Sequence, residues 1–193
     1  MKKKLWLDFD NTVFDSTKAF LKVYNIMVED TKKENSLYWN FNDANVKPEY
    51  IQQIFNSGLF FSYLKPYDGA IEVIKELSQI TDVSFVTIGT YENIKTKIWL
   101  LQEVLKLSDN IGMIPIISPP HQQIIMNKSI IQDGILVDDN PTCLSSCWAE
   151  HKVLFSWQDK PYDWQKDYTP QYKMTAWDDK GYELLLKLIK GEE

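Results

Sequence analysis

The chain reads as an α/β protein: a doubly wound parallel sheet with a small helical cap inserted after the first strand. Three observations carry this expectation. Short apolar runs alternate with longer stretches at helical spacing. Two of the runs, Leu5-Trp6-Leu7 and Ile135-Leu136-Val137, are apolar throughout, as strands buried on both faces are. The stretch from about residue 15 to 65 is helical without a strand, so it interrupts an otherwise regular alternation.

Residues 4–8 predict the first strand. Phe20, Leu21, Tyr24, Ile26 and Met27 form an apolar stripe that predicts a helix over 16–30. Residues 31–47 are polar and aromatic without a period and predict a loop or short helices. Pro48, suited to a first helical position, opens a helix over 48–56, which Gly58 is expected to break. Pro66–Gly69 reads as a turn before an amphipathic helix over 69–79. Val83–Thr87 is the second strand, and Ile94, Ile98, Leu101, Val104 and Leu105 mark a helix over 91–106. Met113–Ile117, Ile135–Val137 and Val153–Ser156 are the third to fifth strands. Residues 158–174, rich in Tyr, Trp and Asp, read as a long loop. Thr175 is the candidate cap of a last helix, with Asp178 and Asp179 in its first turn and Lys187 and Lys190 near its end.

The totals narrow the function classes. At 193 residues, with 44% hydrophobic and 25% charged side chains, the chain suits one soluble core with a small second lobe. A net charge of −6 argues against nucleic acid and anionic membranes as partners. No run approaches the roughly 18 apolar residues of a membrane span. The run after Lys2-Lys3-Lys4 is too short for a signal peptide, so the cytoplasm is the expected compartment. All 21 basic residues are lysine, so any phosphate must be met by point charges rather than bidentate guanidinium groups. Cys143 and Cys147 read as two ordinary thiols, because only His121 and His151 could join them at a metal.

The chemistry lies at the strand ends. The first strand runs into Asp8-Phe9-Asp10-Asn11-Thr12, the second ends at Thr87, and the fourth runs into Asp138-Asp139. Ligands of parallel sheets bind at the carboxyl ends of the strands. Carboxylates crowded there repel one another and lose hydration, so they need a counter-charge such as a divalent cation. Lys128 lies shortly before the fourth strand, with Lys95 and Lys97 as the alternative lysines. Four carboxylates, a hydroxyl and a lysine around magnesium suit phosphoryl transfer. Each element alone is commonplace; their order is not.

That order resembles the haloacid dehalogenase superfamily of phosphatases, whose four motifs match Asp8–Thr12, Thr87, Lys128 and Asp138-Asp139. The resemblance implies a Rossmann-like core over 1–14 and 66–193 with a cap over 15–65. It implies Asp8 as nucleophile and Asp10 as general acid/base, with Thr87 and Lys128 on the phosphate. Mg2+ would be held by Asp8, Asp10 (through its carbonyl) and Asp138, with Asp139 close by. Flanking segments are similar to 5'(3')-deoxyribonucleotidases: Phe60-Phe61 through Gly69-Ala70, Tyr91-Glu92 with Lys97 and Trp99, Trp148–Phe155, and Trp177-Asp178-Asp179. The implied substrates are nucleoside monophosphates, with Tyr38 and Trp39, and less strongly Phe41, facing the base. Two departures stand out. Asn11 follows Asp10 where Gly is frequent, and Met126-Asn127 precede Lys128 where an arginine is frequent. The alternatives are another small phosphomonoester, such as a phosphosugar, or a non-catalytic binding module. A monomer or a homodimer fits either.

Overall fold

Six parallel strands form one sheet in the order β3-β2-β1-β4-β5-β6. They are β1 (Leu5–Leu7), β2 (Val83–Gly89), β3 (Ile111–Ile117), β4 (Ile135–Asp138), β5 (His151–Phe155) and β6 (Tyr172–Met174). The computed structural model describes residues 3–28, 48–107, 111–118 and 126–192. The chain adds strands outward from β1 to β3, then returns to β1 and adds β4 to β6 on its other side. The sheet therefore changes winding direction between β1 and β4. A crevice opens at such a point, beyond the carboxyl ends of the strands.

The pleat sorts side chains to two faces. Leu5, Leu7, Val83, Phe85, Ile135, Val137, Val153 and Phe155 enter one large core, while Trp6, Val86, Leu136 and Leu154 enter a smaller one. The large core is covered by α1 (Ser16–Val28), α2 (Pro48–Phe55), α3 (Gly58–Tyr63), α4 (Ala70–Ser78) and α7 (Asp179–Lys190). Leu144 of α6 (Pro141–Ser146) seals the smaller one. The helix α5 (Tyr91–Trp99) follows β2 directly, capped by Thr90, whose hydroxyl accepts from the Asn93 N–H. Pro115 sits inside β3, which a central strand would not tolerate; among the described residues β3 is an edge strand bonded to β2 alone.

The α/β class and the parallel sheet are as expected, and among the described residues only helices, α1 to α3, lie between β1 and α4, with local differences. The helix expected over 48–56 ends at Phe55, so the break expected at Gly58 is present, and a new helix, α3, starts there because the Ser57 hydroxyl accepts from Phe60 N–H. β2 runs to Gly89 because β3 pairs with it along seven residues. The helix expected over 91–106 ends at Trp99 and continues as a π-turn over Leu100–Val104. β6 lies inside the expected loop over 158–174; only Met174 of its three residues is buried, so no apolar run marks it. Asp178, not Thr175, caps α7, its carboxylate accepting from Gly181 N–H at 3.0 Å. Cys143 and Cys147 are free thiols, and both are buried. Tyr38, Trp39 and Phe41 lie outside the described residues.

One glycine carries a mechanical demand. Gly69 has φ +79°, and a Cβ there would stand 2.0 Å from the Trp177 carbonyl oxygen. Trp177 in turn donates from Nε1 to the Thr12 carbonyl at 2.8 Å, beneath the first acidic motif. Gly69→Ala is expected to cost about 2–4 kcal/mol from backbone strain plus the clash. Thermal unfolding should show a fall of roughly 5–10 °C; an unchanged Tm would contradict the packing described.

Candidate active site

The backbone first brings the acidic residues together. Asp8 follows β1 directly, and its N–H donates to the Val137 carbonyl at 2.9 Å, so the strand ladder reaches the first carboxylate. Asp138 ends β4 beside it. The loop after Asp8 turns back on itself: Val13 and Phe14 N–H both donate to the Phe9 carbonyl. Asn11 takes φ +56°, a left-handed angle that asparagine tolerates better than most residues. Its Oδ1 accepts from both the N–H and the hydroxyl of Thr17 at 2.9 Å. The Thr12 hydroxyl accepts from Asp139 N–H at 3.0 Å and ties this loop to the end of β4.

Lys128 sits among the acids. Its ammonium donates to Asp8 Oδ1 and, at 2.6 Å, to Asp138 Oδ2, and the side chain is fully buried. Its main-chain N–H donates to the Ser146 hydroxyl of α6 at 2.9 Å, which places the residue. Asp138 is also oriented by Asn140 N–H at 2.8 Å. Ligand oxygens of Asp8, Asp138 and Asp139 lie within 4.8 Å of one another.

Asp10 is held at both oxygens. The Ser16 hydroxyl donates to Oδ1 at 2.6 Å, and the Lys97 ammonium donates to Oδ2. The same ammonium donates to the Thr87 hydroxyl at 2.9 Å. Thr87 and Lys97 are both buried. Lys95 points the other way and is exposed, so it takes no part. Lys97 was expected only as a substitute for Lys128; the structure brings both lysines to the acidic cluster. The helical pattern carries part of this: Lys97, three residues after Ile94 and four before Leu101, falls on the apolar stripe and Lys95 does not, but the pattern does not say which groups Lys97 meets.

Two further residues had no signal in the sequence. Trp164 Nε1 donates to Asp139 Oδ2 at 3.2 Å, and Gln165 Nε2 donates to the Asp139 carbonyl at 2.7 Å and the Phe155 carbonyl at 3.0 Å. They belong to the aperiodic segment expected to be loop, and they close it over the end of β4. Next to Asp10 opens a mainly apolar hollow lined by Ile51 and Phe55 of α2, Ile88, and Trp164, with the amides of Gln52 and Asn56 at its wall. His151 starts β5 at the opposite end of the sheet, away from these groups.

Burial governs the electrostatics. It pushes the Asp8 carboxyl from 3.8 up to about 7, opposed by Lys128 and reinforced by Asp138 and Asp10. Burial likewise raises Asp138, against the pull of Lys128. It holds Asp139 well above the usual carboxylate range, with Asp138 and Asp8 adding to it. For Lys128, burial acts against the charge, but Asp138 and Asp8 outweigh it and leave the ammonium firmly charged. One cation thus under-compensates the carboxylates around it. The donor set is three hard oxygens with room for more, which fits magnesium.

The sign of the pH dependence follows. A carboxyl raised in the folded state binds its proton more tightly there than in the unfolded chain. Its contribution to stability is complete below about pH 4 and is lost as pH rises through about 7. Metal-free protein should therefore lose Tm between about pH 5 and pH 8. Magnesium at a hundredfold excess over its Kd should raise Tm by about 5 °C at pH 8, and by less at pH 5, where protons compete. Differential scanning calorimetry at both pH values checks this; an equal magnesium effect at both would contradict the acidic cluster as the ion's site.

Comparison with known proteins places this geometry. The family model described as "5' nucleotidase, deoxy (Pyrimidine), cytosolic type C protein" matches residues 2–188. Among solved structures, the chain is similar to a "predicted phosphatase" from Clostridium acetobutylicum, with 16% identity over 97% of this chain and 100% of that one, at a TM-score of 0.65. It is similar to a haloacid dehalogenase-like hydrolase from Streptococcus pneumoniae, with 14% identity over 96% and 97% of the two chains, at a TM-score of 0.60. It is also similar to a HAD hydrolase from Bacillus subtilis in a structure bound to magnesium, with 13% identity over 95% and 98%, at a TM-score of 0.57. Comparison with curated proteins gives no match.

Proposed function

Since the chain belongs to the family of the cytosolic type C deoxy-(pyrimidine) 5'-nucleotidases, within the haloacid dehalogenase superfamily, we propose that it is a magnesium-dependent phosphatase of nucleoside monophosphates. Asp8 attacks phosphorus, forming an aspartyl-phosphate and releasing the nucleoside. Asp10 gives a proton to the leaving oxygen and then takes one from the water that hydrolyses the intermediate. Thr87 and Lys128 hold phosphoryl oxygens. Mg2+ would be held by the Asp8 and Asp138 carboxylates and the Asp10 carbonyl, with Asp139 adjacent. When bound it supplies charge neutralisation, so that an anionic nucleophile can approach an anionic phosphate.

The observation that carries this reading is the meeting of Asp8, Asp138 and Lys128, with Asp10, Thr87 and Lys97 beside them, at the winding reversal of the sheet. The hollow beside Asp10 is the place for the nucleoside: Phe55 and Trp164 offer aromatic surface, and the Gln52 and Asn56 amides match the donor and acceptor edges of a pyrimidine. Residues 15–65 act as the cap that closes this hollow on the core of 1–14 and 66–193. The "cytosolic" in the family's description supports a cytoplasmic setting.

A panel of phosphomonoesters, assayed with and without magnesium, tests the proposal. Deoxypyrimidine nucleotides such as dUMP and dTMP should exceed sugar phosphates in kcat/KM by at least about tenfold, the discrimination a shaped pocket supplies. Equal rates would remove the nucleotide from the reading and leave a phosphosugar or general phosphatase. No phosphate released from any ester would leave a binding module.

A further inference from the structure

The buried lysine on α5 has no part in the chemistry assigned so far. Lys97 is 1% exposed, and its ammonium lies 4.7 Å from the centre of the Phe9 ring. Burying an ammonium is costly unless its partners are good; a methionine would fill the same space without that cost. Two of its three N–H bonds go to Asp10 Oδ2 and Thr87 Oγ1, which leaves one for an incoming acceptor. Because the Thr87 oxygen accepts from Lys97, its own hydroxyl proton is turned away and is free to be donated. The result is two adjacent donors, with heavy atoms 2.9 Å apart, beside the carboxylate that flanks the nucleophile.

Charge points the same way. Asp8, Asp10, Asp138 and Asp139 bring four carboxylates to this end of the sheet, and Lys128 is already divided between two of them. Neither residue before it, Met126 or Asn127, is a cation, and the chain has no arginine. With one divalent cation, Lys97 brings the cluster to neutrality before a dianionic phosphate arrives; without it the phosphate would meet net negative charge.

On the phosphatase reading above, we propose that Lys97 is a second phosphate-binding cation, acting with Thr87 as a donor pair for a phosphoryl oxygen. Lys128 then chiefly holds and shields the nucleophile, and the two lysines are not interchangeable.

The test is calorimetric binding of inorganic phosphate in the presence of magnesium, alongside steady-state kinetics, for the wild type, Lys97→Met, Lys97→Arg and Lys95→Met. Lys97→Met should weaken phosphate binding by at least about tenfold. It should raise KM to a similar degree for dUMP and for p-nitrophenyl phosphate alike. Lys97→Arg should recover part of the affinity, and Lys95→Met, on the exposed side of the same helix, should match the wild type. Phosphate affinity within twofold of wild type in a folded Lys97→Met protein would overturn the proposal. So would a loss confined to dUMP with p-nitrophenyl phosphate spared, because that ester needs no proton on its leaving group and the lysine would then act only through Asp10. Should Lys97→Met fail to fold, Lys97→Gln is judged by the same criteria. A wild type that neither binds phosphate nor releases it from any ester would instead remove the phosphatase reading itself.

Discussion

Asp8→Asn is expected to abolish phosphate release from every ester the wild type accepts, lowering kcat by at least about ten-thousandfold. The amide keeps the shape of the side chain and loses both the nucleophilic charge and one hard ligand for the cation. Stability should respond in the opposite direction. Asp8 is one of three buried carboxylates whose protons are held too tightly, and a single ammonium serves two of them. Neutralising one relieves repulsion at neutral pH, so the metal-free variant should unfold at or above the wild-type Tm. Activity measured by phosphate release, with Tm measured on the same preparation, checks both halves. Residual turnover within about a hundredfold of wild type would refute the nucleophile assignment. A large loss of Tm would refute the account of the electrostatics.

Lys128→Met carries the largest structural effect. The ammonium is the bridge between Asp8 and Asp138, and all three groups are buried. Its removal leaves two carboxylates facing each other without a counter-charge, a situation that costs about 3–5 kcal/mol. For a chain of this length the loss corresponds to a fall in Tm of roughly 10 °C at pH 8. The fall should shrink near pH 5, where one carboxyl takes up a proton, and shrink again when magnesium is added. Activity should fall by at least about a thousandfold, since the nucleophile loses its orientation and the phosphate a charge partner. A Tm unchanged at pH 8 would mean that Lys128 is not the counter-charge of this cluster.

The contrast between Lys97 and Lys128 shows how far a linear reading reaches. Lys128 was legible because it stands at a short, fixed distance before an apolar triplet ending in two aspartates. Lys97 was named only as an alternative; its place three residues after Ile94 and four before Leu101 puts it on the apolar stripe and Lys95 off it, a signal that gives its face but not its partners. Trp164 and Gln165 were not legible at all: they reach Asp139 from a segment with no hydrophobic period, where the contact is made across the fold. The helix break near Gly58 was legible; the serine cap that starts α3 at Gly58 itself was not.

What the sequence determined by itself was the class of fold and the chemistry of its strand ends. Apolar runs have one way to be buried on both faces, and a carboxylate that ends such a run must emerge at the rim of the sheet. What the tertiary structure alone decided was the partnership: which strands lie side by side, which lysine serves which carboxylate, and which side chains close over them. Those pairings join residues as far apart as Lys97 and Asp10, or Lys128 and Asp8. Coulombic and hydrogen-bond energies depend on separation in space, and periodicity along a chain records which face a residue takes but not which distant residue it meets there.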